Sequence, residues 1–130
     1  MTLFMPVQRA TLILPTDGSN HLFILLTNPK QPDGYACNHN LLVPIGSIYP
    51  NKPHDSTCRL YTGDHVFITH DSYVNYKFVR IEETQKLNDG CKNGYFKQLD
   101  NLDTLIFARV CQGLMDSRHT PLKAKIFYET

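Results

Sequence analysis

Polar, reactive side chains crowd one stretch of this chain. Between residues 54 and 80 come His54-Asp55-Ser56-Thr57-Cys58-Arg59, then Asp64-His65, then Thr69-His70-Asp71-Ser72, then Asn75, Lys77 and Arg80. Three of the six histidines fall within the first 17 of these positions. Imidazole exchanges a proton near neutral pH, which general acid–base catalysis requires. Arg59, Lys77 and Arg80 are suited to hold a phosphate, arginine above all, because its planar fork binds two oxygens at once. Tyr49, Tyr61, Phe67, Tyr73, Tyr76 and Phe78 are interleaved with these groups. Exposed rings beside a cation stack on unpaired bases. A plainer origin competes: turns attract Asp, Ser, Thr and His for local backbone hydrogen bonds, and Phe67 and Phe78 read as core.

Other chemistries fit less well. Cys37-x-His39 followed by His54-x3-Cys58 offers four zinc ligands in two loop pairs. The one-residue gap of the first pair departs from the usual two-to-four, so the primary expectation is no metal, with Cys37, His39, His54 and Cys58 as the alternative centre. Cys58 as a nucleophile with His54 or His65 as its base matches no cysteine-hydrolase signature, and a cysteine in a strand is usually packing. His70, Asp71 and Ser72 are adjacent, so an extended chain points them to opposite faces and they cannot form one triad. No GxGxxG or GxxxxGK[ST] occurs, and no cofactor is expected.

The elements that must position these groups follow from composition and pattern. A chain of 130 residues with 42% hydrophobic and 19% charged residues fits one globular domain spanning 1–130. Thirteen Lys and Arg oppose twelve Asp and Glu, which excludes a histone-like basic binder but not a local basic patch. No apolar run reaches the ~18 residues of a membrane span, and the N-terminus lacks the features of a signal peptide. The scattered cysteines 37, 58, 91 and 111 read as reduced thiols, so a cytoplasmic protein is expected.

Seven of the eight prolines precede residue 54, which predicts strands and turns there. Strands are expected at 10–14, 21–27, 41–45, 58–61, 65–69 and 73–82. Asp17-Gly18 predicts a hairpin, and Pro44 predicts a strand end at a sheet edge. Residues 1–86 are thus strand-rich, and 87–117 hold a loop over 87–95 and a helix over 99–115, read from Leu99, Leu102, Leu105, Ile106, Val110 and Leu114. A last strand is expected at 123–128. The fold class is mainly β (α+β), a small, strongly curved antiparallel sheet or barrel carrying a C-terminal helix.

Three segments carry a family resemblance. HLFILLTNP (21–29), LLVPIGS (41–47) and DSYVNYKFVRIEE (71–83) resemble, in order and pattern, strands of the PemK/MazF-like toxins of bacterial toxin–antitoxin pairs. The resemblance covers about residues 20–83. It implies an SH3-like barrel, a homodimer, and a metal-independent endoribonuclease acting on single-stranded RNA and neutralised by a cognate antitoxin protein. The family's usual residues are only partly present: Gly46 stands where a threonine is usual, leaving Ser47, and Asn75 and Lys77 stand where arginine and aspartate are usual. Cleavage then falls to other groups. His65, His70 and Arg80 are the expected catalytic set, with His21 a further substitute. Arg59, Lys77, Asn75, Ser47 and Tyr73 are the expected substrate-binding set. The departures also leave an alternative, a non-enzymatic binding module on the same barrel for a protein or nucleic-acid partner.

Overall fold

The computed structural model describes residues 3–130. The first hairpin forms where the sequence predicts it. β1 (Thr11–Thr16) pairs antiparallel with β2 (Ser19–Leu25), Thr16 facing Ser19. Asp17 and Gly18 between them have φ of 46° and 80°, the left-handed pair that a two-residue hairpin turn needs.

β3 (His39–Ser47) runs beside β2 and is longer than the expected 41–45. Pro44 lies inside it rather than at its end, and the reason is a change of partner. On its other edge β3 pairs through 45–47 with β5 (Ser72–Val74) and through 39–42 with β6 (Arg80–Glu83). Between those two stretches the neighbouring chain leaves the ladder in a single 3-10 turn, Tyr76–Phe78. The Pro44 carbonyl accepts from the Asn75 N–H at 2.9 Å, so its proton-less nitrogen faces the same side, where the ladder is broken. The continuous strand expected over 73–82 is therefore two strands.

β4 (Arg59–Leu60) pairs with β5, and β7 (Lys97–Leu99) pairs with β1. The result is a seven-stranded antiparallel sheet in the order β4-β5-β3-β2-β1-β7, with β6 also on β3. The end strands β4 and β7 are not joined among the described residues, so the sheet is not closed.

The segment expected as a strand at 65–69 is a turn, closed by Ile68 N–H to the His65 carbonyl at 3.0 Å. Its alternation is real, but only Ile68 is buried with His65, while Val66 and Phe67 face water. Among the described residues, three α-helices replace the expected one. α1 (Thr84–Lys92) occupies much of the predicted 87–95 loop; Gly90 is helical there because the Phe96 ring fills the space its side chain would need. α2 (Thr104–Asp116) is shorter than the predicted 99–115, and Leu99 belongs to β7. α3 (Leu122–Glu129) takes the place of the predicted last strand, with Ala124 and Phe127 buried three residues apart on one helical face.

α2 starts sharply because the Asp103 carboxylate accepts from the Leu105 and Ile106 N–H groups at 2.9 and 3.2 Å. Asp103→Ala is expected to cost about 1 kcal/mol, measured by thermal denaturation.

Away from the end of β3 near Ser47, the sheet is covered on both faces. Leu22, Ile24, Val43, Ile45 and Val74 meet Val110 and Leu114 of α2 and Phe127 of α3. Leu12, Phe23, Leu25 and Leu42 meet Leu87 of α1. Burial on both sides explains why β2 reads as an unbroken apolar run rather than an alternation. No helix among the described residues is long and apolar enough to cross a membrane.

Candidate functional site

A groove of about 970 Å³ opens where the sheet face is left uncovered. Its floor follows from strand register. Phe23 faces Pro44, and continuing that register puts His21 beside Gly46; Gly46 in turn faces Tyr73. His21 and Phe23 of β2, Pro44 and Gly46 of β3, and Tyr73 and Asn75 therefore project to one side, and all six line the groove. Gly46 is needed here: a Cβ would lie 2.8 Å from the Tyr73 ring, so only glycine lets the ring rest on β3. The hairpin turn, the loop at 49–53 and the segment 67–70 form the walls.

The groove is electropositive and aromatic. Lys52, Lys77 and Arg80 line it against a single carboxylate, Asp17, among the described residues. Arg80 sits 4.9 Å over the Phe23 ring, Lys52 5.6 Å over Tyr49 and Lys77 5.7 Å over Phe78. Tyr49, Phe67 and Phe78 are 56%, 39% and 58% exposed. Phe67 and Phe78, expected in the core, are thus wall residues open to solvent.

Two imidazoles reach this groove, on either side of β3. His70 is exposed, and its Nε2 lies 2.7 Å from the Ser47 hydroxyl. His21 is half-buried, with Nδ1 2.5 Å from the Thr16 hydroxyl. A hydroxyl partner fixes ring orientation without fixing charge, since it donates or accepts as the tautomer requires. Partial burial, with the Asp55 carboxylate adding to it, pushes the Tyr73 hydroxyl up from its ordinary value, so it remains a proton donor at neutral pH.

Of the residues singled out from the sequence, His70, Arg80, Lys77, Asn75, Ser47 and Tyr73 come together here. His65 does not. It is buried, its Nε2 donates to the Asp100 carbonyl at 2.6 Å, and its Nδ1 accepts from the Phe67 N–H at 3.1 Å. Both ring nitrogens are committed to backbone, so His65 pins the 65–68 turn to the segment before α2. His65→Ala is expected to cost about 1–3 kcal/mol by orphaning these buried groups. Urea denaturation measures that loss, and the chemistry of the groove should stay at its original rate per folded molecule.

Arg59 also lies elsewhere. It is on the edge strand β4, 3.6 Å from Asp71 and over the Tyr61 ring at 5.9 Å. Cys58 is packed in the core, and burial, the dominant cause, pushes its thiol up, which suits packing and not nucleophilic attack. His54 stacks on Tyr73 at 5.3 Å between centroids, so the four-ligand centre Cys37-His39-His54-Cys58 is not assembled. Lys52 is the groove cation that the sequence does not single out, because it sits in a proline-rich loop with no motif; its only signal is a position three residues from Tyr49, an aromatic already marked for base stacking.

Comparison with family models, with curated proteins and with solved structures finds no match to this chain.

Proposed function

We propose that the groove binds single-stranded RNA and cleaves it without a metal, as the resemblance to PemK/MazF-like toxins implies. The observation that carries this reading is one groove combining three cations, three exposed aromatic rings and two imidazoles. Cations track a phosphate backbone and rings stack unpaired bases, whereas a duplex offers no bare ring faces to Tyr49, Phe67 or Phe78.

Metal-independent cleavage needs a base that takes the proton of a ribose 2′-hydroxyl. The resulting oxygen attacks the adjacent phosphorus, and an acid protonates the departing 5′-oxygen. The products are a 2′,3′-cyclic phosphate and a 5′-hydroxyl. His70 and His21 are the acid–base pair, oriented by Ser47 and Thr16. Arg80 and Lys77 stabilise the charge that gathers on the phosphoryl oxygens. Tyr73 and Asn75 supply neutral hydrogen bonds on the floor. On this reading the sheet is an opened SH3-like barrel, the protein is a cytoplasmic toxin acting as a homodimer, and an antitoxin covers the groove.

The test is incubation of the purified chain with single-stranded RNA in chelator. Fragments ending in 2′,3′-cyclic phosphate are expected. Tight binding without fragments would replace this reading with a non-enzymatic RNA-binding module. Neither binding nor cleavage would end both.

A further inference from the structure

Cys37 and His39 lie two residues apart on the chain entering β3, and His39 faces Glu83 directly across the β3–β6 ladder. Directly opposed cross-strand residues share a face, and the bend just before β3 holds Cys37 against both, its carbonyl bonded to the His39 ring and its thiol beside the Glu83 carboxylate. The topology thus brings a thiol, an imidazole and a carboxylate to one half-buried spot, although 46 residues separate Cys37 from Glu83 in sequence. Their ligand atoms all lie within 4.8 Å of one another.

We infer that Cys37, His39 and Glu83 form a zinc site with an open fourth position. The Cys37 Sγ to Glu83 Oε1 distance is 3.7 Å. A tetrahedral zinc with bonds of about 2.3 Å to sulfur and about 2.1 Å to oxygen sets those two atoms roughly 3.6 Å apart, so this pair is already spaced for the ion. The His39 Nδ1–H donates to the Cys37 carbonyl at 2.7 Å, which leaves the lone pair on Nε2 and fixes the ring as metal-binding histidines are commonly fixed. Tyr35 packs edge-on to the same ring at 4.8 Å and restrains it further. A Cys/His/carboxylate set suits zinc, whereas calcium and magnesium prefer oxygen alone.

The site does not belong to the groove. His39 and Ser47 occupy opposite ends of β3, roughly 26 Å apart at about 3.3 Å per residue, so this inference stands independently of the function proposed above. Its effect is to clip the 28–38 loop onto the sheet.

The full chain is stripped with chelator and titrated with Zn²⁺ against a chromophoric competitor, and separately with Co²⁺. One ion per chain is expected, with a near-ultraviolet thiolate-to-cobalt absorption. Cys37→Ser should abolish that absorption while Cys91→Ser keeps it. Glu83→Gln, at a half-buried strand position, should fold normally and lower zinc affinity by at least about 10–100-fold, the loss typical of even outer-shell partners. The inference is overturned by no stoichiometric binding, by an absorption that survives Cys37→Ser, or by unchanged affinity in Glu83→Gln. Should Cys37→Ser fail to fold, the Glu83→Gln titration decides alone.

Discussion

His70→Ala is expected to slow RNA cleavage by about 10²–10⁴-fold, the usual worth of one positioned acid or base. The side chain is exposed and holds only hydroxyl partners, Ser47 at 2.7 Å and Thr69 at 3.4 Å, so its loss should leave stability nearly unchanged. That separates it from His65→Ala, which should damage the fold and spare the rate. Arg80→Ala is expected to lower kcat by about 10²–10³-fold, as when a single transition-state donor is deleted. Lys52→Ala should act differently. Lys52 lies on the wall beside Tyr49, so its loss should raise KM and flatten the salt dependence while kcat holds. Single-turnover kinetics on a short fluorescent RNA resolve the two patterns. Equal rates for wild type and His70→Ala would remove His70 from the chemistry.

A loss of stability as large as that of His65→Ala is expected from a change that simple helix propensity would favour. Gly113 lies in the last turn of α2, still within its hydrogen-bonded ladder, where alanine normally stabilises by about 1 kcal/mol. Here a Cβ would collide with the Tyr76 hydroxyl and stand 2.7 Å from its Cζ. Tyr76 is fully buried and donates to the Val110 carbonyl at 2.7 Å, so it cannot swing aside into water. Gly113→Ala is therefore expected to destabilise by about 1–3 kcal/mol, the ordinary cost of overpacking. Tyr76→Phe alone should cost about 1 kcal/mol for its hydrogen bond, yet should relieve part of the damage when added to Gly113→Ala. Urea denaturation of the four proteins in this cycle measures the coupling. A neutral or stabilising Gly113→Ala would mean that Tyr76 does not seat against α2.

The elements that read correctly from sequence are those specified locally. Asp17-Gly18 demanded a turn by its own backbone preference, and β1 and β2 followed on either side. The failures are places where a distant contact overrides local preference. His65–Thr69 alternates like a strand, but the hydrogen bond from His65 to the Asp100 carbonyl holds it as a turn. KAKIFY carries strand-forming residues, yet it buries Ala124 and Phe127 as a helix against strand residues such as Leu41, Val43 and Ile45, remote in sequence. Leu87–Tyr95 looked like loop because of its glycines, although Gly90 is there to admit Phe96 and only Gly94, with φ of 81°, ends the helix. The site followed the same rule. His70, Lys77 and Arg80 were legible as chemistry, but sequence adjacency made Arg59 and His65 look like partners. His21, Tyr49 and Lys52 join the groove through strand register and loop placement, which no local pattern encodes.

The exchange of partners at Pro44 has a dynamic consequence. Because the two ladders on that edge of β3 are separated by a turn, each holds its own alignment, and loosening one does not unzip the other. β5 and the two-residue β4 pair with Ile45–Ser47 alone and β6 with the far half of the strand, so the two ladders are expected to exchange their amide protons as separate units. A ligand seated on Tyr73 should therefore change amide protection in β5 and leave that of β6, at the His39 end, unaltered.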